Sequence, residues 1–181
     1  MNHREEEMDE HVENVSVNHG KGKAVIIAGS GSDIEHVRNI SKALNVFKIP
    51  HIVRICSAHK QIYKLSGLLE ELNRKKGPLV IISVAGFTDA LSGVLSFYSI
   101  HPVLSCPPDK NNFSALENPS GSSNATIFNP SNVARFIAQM FSCFNIQCRE
   151  ILEKITREKI AELDKKDEEI LLEYGDIEWE V

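Results

Sequence analysis

Three short segments hold the residues best suited to chemistry: Gly29-Ser30-Gly31-Ser32-Asp33, Ser57-Ala58-His59-Lys60, and Gly86 within Val84-Ala85-Gly86. The first offers two hydroxyls, a carboxylate and several free backbone N–H groups. At the opening of a helix such a set favours an anionic group such as phosphate. In the second, His59 is the side chain type best matched to proton transfer near neutral pH. Lys60 beside it supplies a point charge for phosphate or carboxylate. Gly86 lets a ligand approach the main chain closely. Each segment also has a purely structural reading. Asp33 or Ser32 can cap a helix, worth ~1 kcal/mol; His59 can be a surface or capping residue; Thr88 or Asp89 can cap a later helix. Two familiar phosphate motifs are excluded. No Gly-Lys-[Ser/Thr] follows Gly29, and Ile34 stands where a dinucleotide fingerprint needs its third glycine.

The elements that must position these residues follow from the hydropathy pattern. Ala24–Ala28 is a continuous apolar run, as in a central parallel strand covered on both faces. From Asp33, apolar residues at Ile34, Val37, Ile40, Ala43, Leu44 and Phe47 recur with helical spacing on one face. His51–Cys56 reads as a second strand, Lys60–Lys75 as a helix closed by Gly77-Pro78, and Leu79–Val84 as a third strand. A short helix over Asp89–Phe97, a strand over Pro102–Ser105, a fifth strand over Ala125–Phe128 and a helix opened by Pro130 complete the alternation. Between them, residues 106–124 form a loop of a length that is usually functional or disordered. Arg149–Leu172 is charged but carries Ile151, Leu152, Ile155 and Leu163, the mark of a helix that partly docks and partly extends. Strands alternating with helices imply right-handed crossovers, hence an α/β three-layer sandwich on a parallel, flavodoxin-like sheet. All three chemical segments then fall at carboxyl ends of strands, where open α/β sheets bind ligands. The expected organisation is a disordered acidic tail over 1–22, one α/β domain over 23–148, and a helical extension over 149–181.

At 181 residues the chain suits one domain with a full core. Its 42% apolar and 25% charged content are those of a soluble globular protein. A net charge of −5 argues against a nucleic-acid surface. No apolar run approaches the roughly 20 residues of a membrane span, and the polar N-terminus lacks the apolar core of a secretory signal. Cys56, Cys106, Cys143 and Cys148 fit no metal-binding spacing, so they read as reduced thiols in a cytoplasmic protein.

Taken in order, Gly29-Ser30-x-Ser32-Asp33, Ser57-Ala58-His59-Lys60, Val84-Ala85-Gly86, Pro102-Val-Leu-Ser-Cys-Pro-Pro108 and Pro119-Ser120-Gly121 resemble the aminoimidazole ribonucleotide (AIR) carboxylase family of purine biosynthesis. The likeness runs from about Ala24 to about Asn145. Lys60 after the histidine, with the Ser-Cys-Pro-Pro segment, is similar to the animal type that uses carbon dioxide directly. The resemblance implies a phosphoribosyl aminoimidazole and CO2 as substrates, and no metal, ATP or biotin. It implies that Ser30, Ser32 and Asp33 hold ribose and phosphate, and that Ser57 and Lys60 meet the phosphate or the incoming carboxyl group. His59 would shuttle the proton, with Ala58, Gly86, Ser120 and Gly121 completing the substrate site. It also implies a homo-octamer with active sites between subunits.

Two stretches depart from that pattern. After Val-Ala-Gly the animal sequence continues Arg-Ser-Asn-Gly, whereas Phe87-Thr88-Asp89-Ala90 follows here; before Pro-Ser-Gly, Glu117-Asn118 replaces Arg-Leu. Two cationic positions are lost and up to two negative charges gained. Asp89 would then oppose the forming carboxylate. These departures leave open an impaired relative that binds a phosphoribosyl nucleotide, or serves in an oligomer, without turnover. An unrelated flavodoxin-like binding domain is a third reading.

Overall fold

The computed structural model describes residues 20–175, and the proposed tail, up to residue 19, and the final six residues lie outside them. Five strands form one sheet: β1 (Lys23–Ala28), β2 (His51–Ile55), β3 (Leu79–Val84), β4 (Val103–Ser105) and β5 (Asn124–Thr126), in the order β2-β1-β3-β4-β5. Every neighbouring pair is parallel. This is the flavodoxin-like order, and its topological switch point lies between β1 and β3. The two central strands are β1 and β3, and β3 is buried along its whole length, as its unbroken apolar sequence requires.

Helices cover both faces. One face packs α1 (Ile34–Val46), α4 (Pro130–Phe141) and the start of α5 (Ile146–Tyr174) around Ile26, Ile82, Leu104, Ile40, Leu44 and Ile137. The other packs α2 (Ile62–Asn73) and α3 (Leu91–Tyr98) around Val25, Ile27, Ile81, Leu65, Leu69 and Leu95. Alternate residues of β1 point to opposite faces, so each strand feeds both cores. Ser83 faces the second core, and its hydroxyl finds no hydrogen-bond partner among the described residues.

The element boundaries differ from the sequence expectation in ways that matter for the site. Helix α2 begins at Ile62 rather than Lys60, because Ser57–Gln61 closes a turn with Gln61 N–H donating to the Ser57 carbonyl at 2.9 Å. His59 and Lys60 therefore sit on a turn, not in a helix. Helix α5 starts at Ile146, capped by Asn145, whose side chain accepts from Cys148 N–H. The boundary drawn before Arg149 falls inside this helix, since Cys148 and Leu152 are buried in the first core. Beyond Thr156 the helix is exposed throughout, as its charge density demands. Among the described residues no helix is long and apolar enough to cross a membrane. Cys56, Cys106 and Cys148 are buried free thiols and Cys143 is an exposed one; burial pushes the Cys106 thiol up to about 12.

Candidate active site

The turns that follow β1, β2 and β3 meet in one cleft of about 280 Å³ at the switch point of the sheet. The β1 turn contributes Gly29, Ser30, Ser32 and Asp33, and the β2 turn contributes Ser57, Ala58, His59 and Lys60. From the β3 turn come Ala85, Gly86, Phe87 and Thr88, with Ala90 and Leu91 at the start of α3. Three segments far apart in sequence are thus brought together by the parallel register alone: Ala28 stands beside both Ile55 and Val84.

Along the first wall, Ser30, Ser32 and Asp33 form a continuous polar arc. Ser32 N–H donates to Ser30 Oγ at 3.2 Å, capping the short 3-10 turn Gly31–Asp33. The Ser32 hydroxyl lies 2.8 Å from Ser30 Oγ and 3.1 Å from Asp33 Oδ1. Ser30, rather than Ser32 or Asp33, is the capping residue here. The Asp33 carboxylate makes no cap bond to α1 and is among the residues lining the cleft, with acceptor capacity left beyond its bond to Ser32. On the second wall, Ser57 N–H donates to Gln61 Oε1 at 3.3 Å, which fixes the turn, and the Ser57 hydroxyl reaches His59 Nδ1 at 3.5 Å. The imidazole and Lys60 are exposed to the cleft. Lys60 makes no ion pair with any described residue, and among the residues lining the cleft it is the one permanent cation.

The third wall corrects the expectation for Asp89. It does not line the cleft; it is 5% exposed and turned into the protein. Its Oδ1 accepts from the N–H groups of Leu91 at 2.8 Å and Ser92 at 2.9 Å, and its Oδ2 from the Ser105 hydroxyl at 3.1 Å. The carboxylate is the N-terminal cap of α3, engaged by three buried hydrogen bonds, and is not part of the cleft wall. Glu117 is exposed on the loop that precedes β5 and is not among the residues lining the cleft either. Ser120 and Gly121, also expected at the site, are not among the residues lining the cleft. Both are exposed, and Gly121 packs under Phe97 with a φ of +89°.

Sequence spacing gave no hint of the support behind the walls. Asp109 Oδ2 accepts from Phe87 N–H at 2.9 Å, and a Cβ on residue 86 would meet that oxygen at 2.9 Å. A side chain at residue 86 would therefore displace the Asp109 carboxylate from its bond to Phe87 N–H. On α1, half-buried His36 places Nε2 3.3 Å from Cys106 Sγ. Burial lowers its pKa below the usual histidine value, against smaller raising influences from the Cys106 backbone, Asp33 and Asp109. Contacts spanning 22 and 70 residues carry no periodic signature, which is why neither group stands out in the sequence.

Comparison with known proteins adds independent findings. Residues 23–162 match the model of the AIR carboxylase family. The phosphoribosylaminoimidazole carboxylase of Treponema denticola is 32% identical over 151 residues, covering 78% of this chain and 95% of that protein. That of Archaeoglobus fulgidus is 34% identical over 158 residues, covering 83% and 87%. The mouse bifunctional carboxylase and succinocarboxamide synthetase is 37% identical over 129 residues, which are 68% of this chain and 30% of the mouse protein. The crystal structure of Treponema denticola PurE superposes with a TM-score of 0.78 at 28% identity, covering 82% of this chain and 98% of that one.

Proposed function

The chain belongs to the AIR carboxylase family, and from that premise we propose that its cleft carboxylates 5-aminoimidazole ribonucleotide with CO2 in purine biosynthesis. The observation that supports this reading is the meeting of the Ser30–Asp33 arc, the imidazole of His59 and the unpaired ammonium of Lys60 in one cleft. The volume, about 280 Å³, lies at the small end of ligand sites.

The reaction needs three things from the protein. The sugar phosphate must be held, and the hydroxyls of Ser30, Ser32 and Ser57, with Lys60, supply donors and charge for it. Asp33 accepts from ribose hydroxyls. The electron-rich ring carbon must then face CO2; its electron pair forms the C–C bond while one C=O pair moves onto oxygen as carboxylate. Positioning of the two reactants supplies most of the acceleration at this stage. Last, the proton on that ring carbon must leave so that the ring regains its aromatic electrons. His59 accepts it and passes it to water, the general-base step that an imidazole performs near neutral pH. Ala58, Gly86 and the apolar Ala90 and Leu91 shape the floor beneath the ring.

The alternative of a relative without turnover is not favoured. It rested on Phe87, Asp89 and Glu117; Asp89 is a buried cap and Glu117 lies off the cleft wall, which leaves Phe87 as the one of these three departures in the cleft. The chain also presents apolar surface suited to assembly with further copies, at Ile52, Val53 and Ile55 along the β2 edge, at Phe97 and Tyr98 ending α3, and at Ile100 just beyond it. An octamer with sites between subunits, as the family resemblance implies, would bring Ser120 and Gly121 of a neighbour toward a cleft they do not reach in their own subunit. Its place is the cytoplasm, where free thiols such as these stay reduced. The test is direct: purified protein with 5-aminoimidazole ribonucleotide and bicarbonate-derived CO2 should form the 4-carboxy product, and light scattering should give a mass of several chains. No product at saturating CO2 would refute the assignment.

A further inference from the structure

Phe87 combines two features that are rare together. Its backbone is left-handed, with φ +56°, a conformation disfavoured for any residue bearing a Cβ and unusual for an aromatic one. Its side chain is 90% exposed although it lines the cleft. Strain of this kind persists only where the surroundings over-determine it, and it concentrates at functional positions.

The surroundings here do over-determine it. Four main-chain groups of the turn after β3, on residues 85, 87 and 89, are met by side chains of the 109–114 loop. Asn112 Nδ2 donates to the Ala85 carbonyl at 3.4 Å, and Phe87 N–H donates to Asp109 Oδ2 at 2.9 Å. The Ser114 hydroxyl lies 3.2 Å from the Phe87 carbonyl and itself accepts from Asp89 N–H at 2.8 Å. Asn112 is buried, and its Oδ1 holds Ser114 at 2.6 Å. The clamp fixes the main chain on both sides of residue 87, yet buries none of its ring. A polar residue or glycine would satisfy every one of these bonds. The clamp accounts for the main chain around residue 87 and not for its ring, which is held unpacked at the lip of the cleft where it can meet what enters.

We infer that Phe87 is the ring-recognition residue of this site, stacking on the planar heterocycle of a phosphoribosyl ligand, and that Asp109 and Ser114 are positioning residues for it. This rests on the assignment of a phosphoribosyl aminoimidazole to the cleft and adds how its ring, as opposed to its sugar phosphate, is recognised. Offset stacking on a phenyl face contributes affinity that any flat, electron-rich ring can use and a bare sugar phosphate cannot.

The experiment is calorimetric titration of the full chain with two probes: 5-aminoimidazole-4-carboxamide ribonucleotide, which carries the flat ring, and ribose 5-phosphate, which lacks it. Phe87→Ala and Phe87→Gly should weaken the first probe about threefold to tenfold and leave the second unchanged, while Phe87→Tyr retains both. Phe87→Gly, freed of left-handed strain, should melt no lower than the wild type, so lost affinity cannot be put down to lost folding. Equal loss for both probes, no loss for either, or a fall in assembly mass in step with the loss would overturn the stacking role alone. If the wild type binds neither probe at millimolar concentration, the ligand assignment falls and the stacking role with it.

Discussion

Replacing Asp89 separates two roles that one carboxylate can have beside a cleft that binds anions. The structure makes it a cap: two α3 N–H groups and the Ser105 hydroxyl converge on it, all buried. Asp89→Ala removes a cap worth ~1 kcal/mol. It also strands the buried Ser105 hydroxyl, at roughly 1–3 kcal/mol beyond the lost cap bonds. The sum is about 2–4 kcal/mol, a fall in Tm on the order of 10 °C for a domain of this size. Asp89→Asn keeps Oδ1 for the two amides, and the Ser105 hydroxyl can turn to accept from the new NH2 group. Only the charge assistance is lost, about 1 kcal/mol. Urea unfolding at one protein concentration, followed by circular dichroism, measures both variants, and steady-state carboxylation measures their turnover. The expected pattern is a large stability loss for Ala, a small one for Asn, and kcat/KM within about twofold of wild type for Asn, because no charge was removed from the cleft itself. A rise of ten-fold or more in turnover for Asp89→Asn, or an Ala variant as stable as the wild type, would refute the cap.

Three further outcomes follow from the same geometry. Ser83→Ala deletes the orphaned hydroxyl inside the second core and should raise stability by about 1 kcal/mol, read as a higher urea midpoint with an unchanged slope. His36 has its folded-state pKa below the ordinary value of an unfolded chain, chiefly through burial. The unfolded chain therefore takes up its proton first, so this residue's contribution is intact above the ordinary histidine pKa and is lost as pH falls below it toward the folded value. Melting curves across that range should show His36→Gln losing less stability on acidification than the wild type. Lys60→Ala removes the cleft's one permanent cation and should raise KM for the nucleotide about tenfold to a hundredfold, with a weaker dependence on ionic strength than the wild type.

Much of this was legible in the sequence because it rests on local rules. The unbroken apolar runs of β1 and β3 marked central parallel strands, and the small polar segments after them fell at strand ends, where the switch point gathers them. The Ser30–Asp33 and Ser57–Lys60 segments needed only the register of three neighbouring strands to meet. What stayed hidden depends on contacts between distant parts of the chain. Asp89 read as a threat to a forming carboxylate because its proximity to Gly86 in sequence says nothing about which way its side chain turns. Asp109 and Ser114 clamp the β3 turn from a loop more than 20 residues away, and nothing periodic announces such a clamp. The left-handed turn at Phe87 was likewise invisible, since bulky aromatics seldom adopt it. Ser120 and Gly121 show the opposite case: the motif is plain in the sequence, but the fold of the chain does not bring it to the cleft.

The central claim is that the imidazole on the β2 turn takes the proton from the substrate's ring carbon. Its most direct measurement is the carboxylation rate of His59→Asn beside the wild type, at saturating 5-aminoimidazole ribonucleotide and CO2, with binding of the nucleotide followed in parallel. Removing a general base should lower kcat by about a hundredfold to ten-thousandfold while nucleotide affinity holds within about threefold. A variant that turns over as fast as the wild type would contradict the claim.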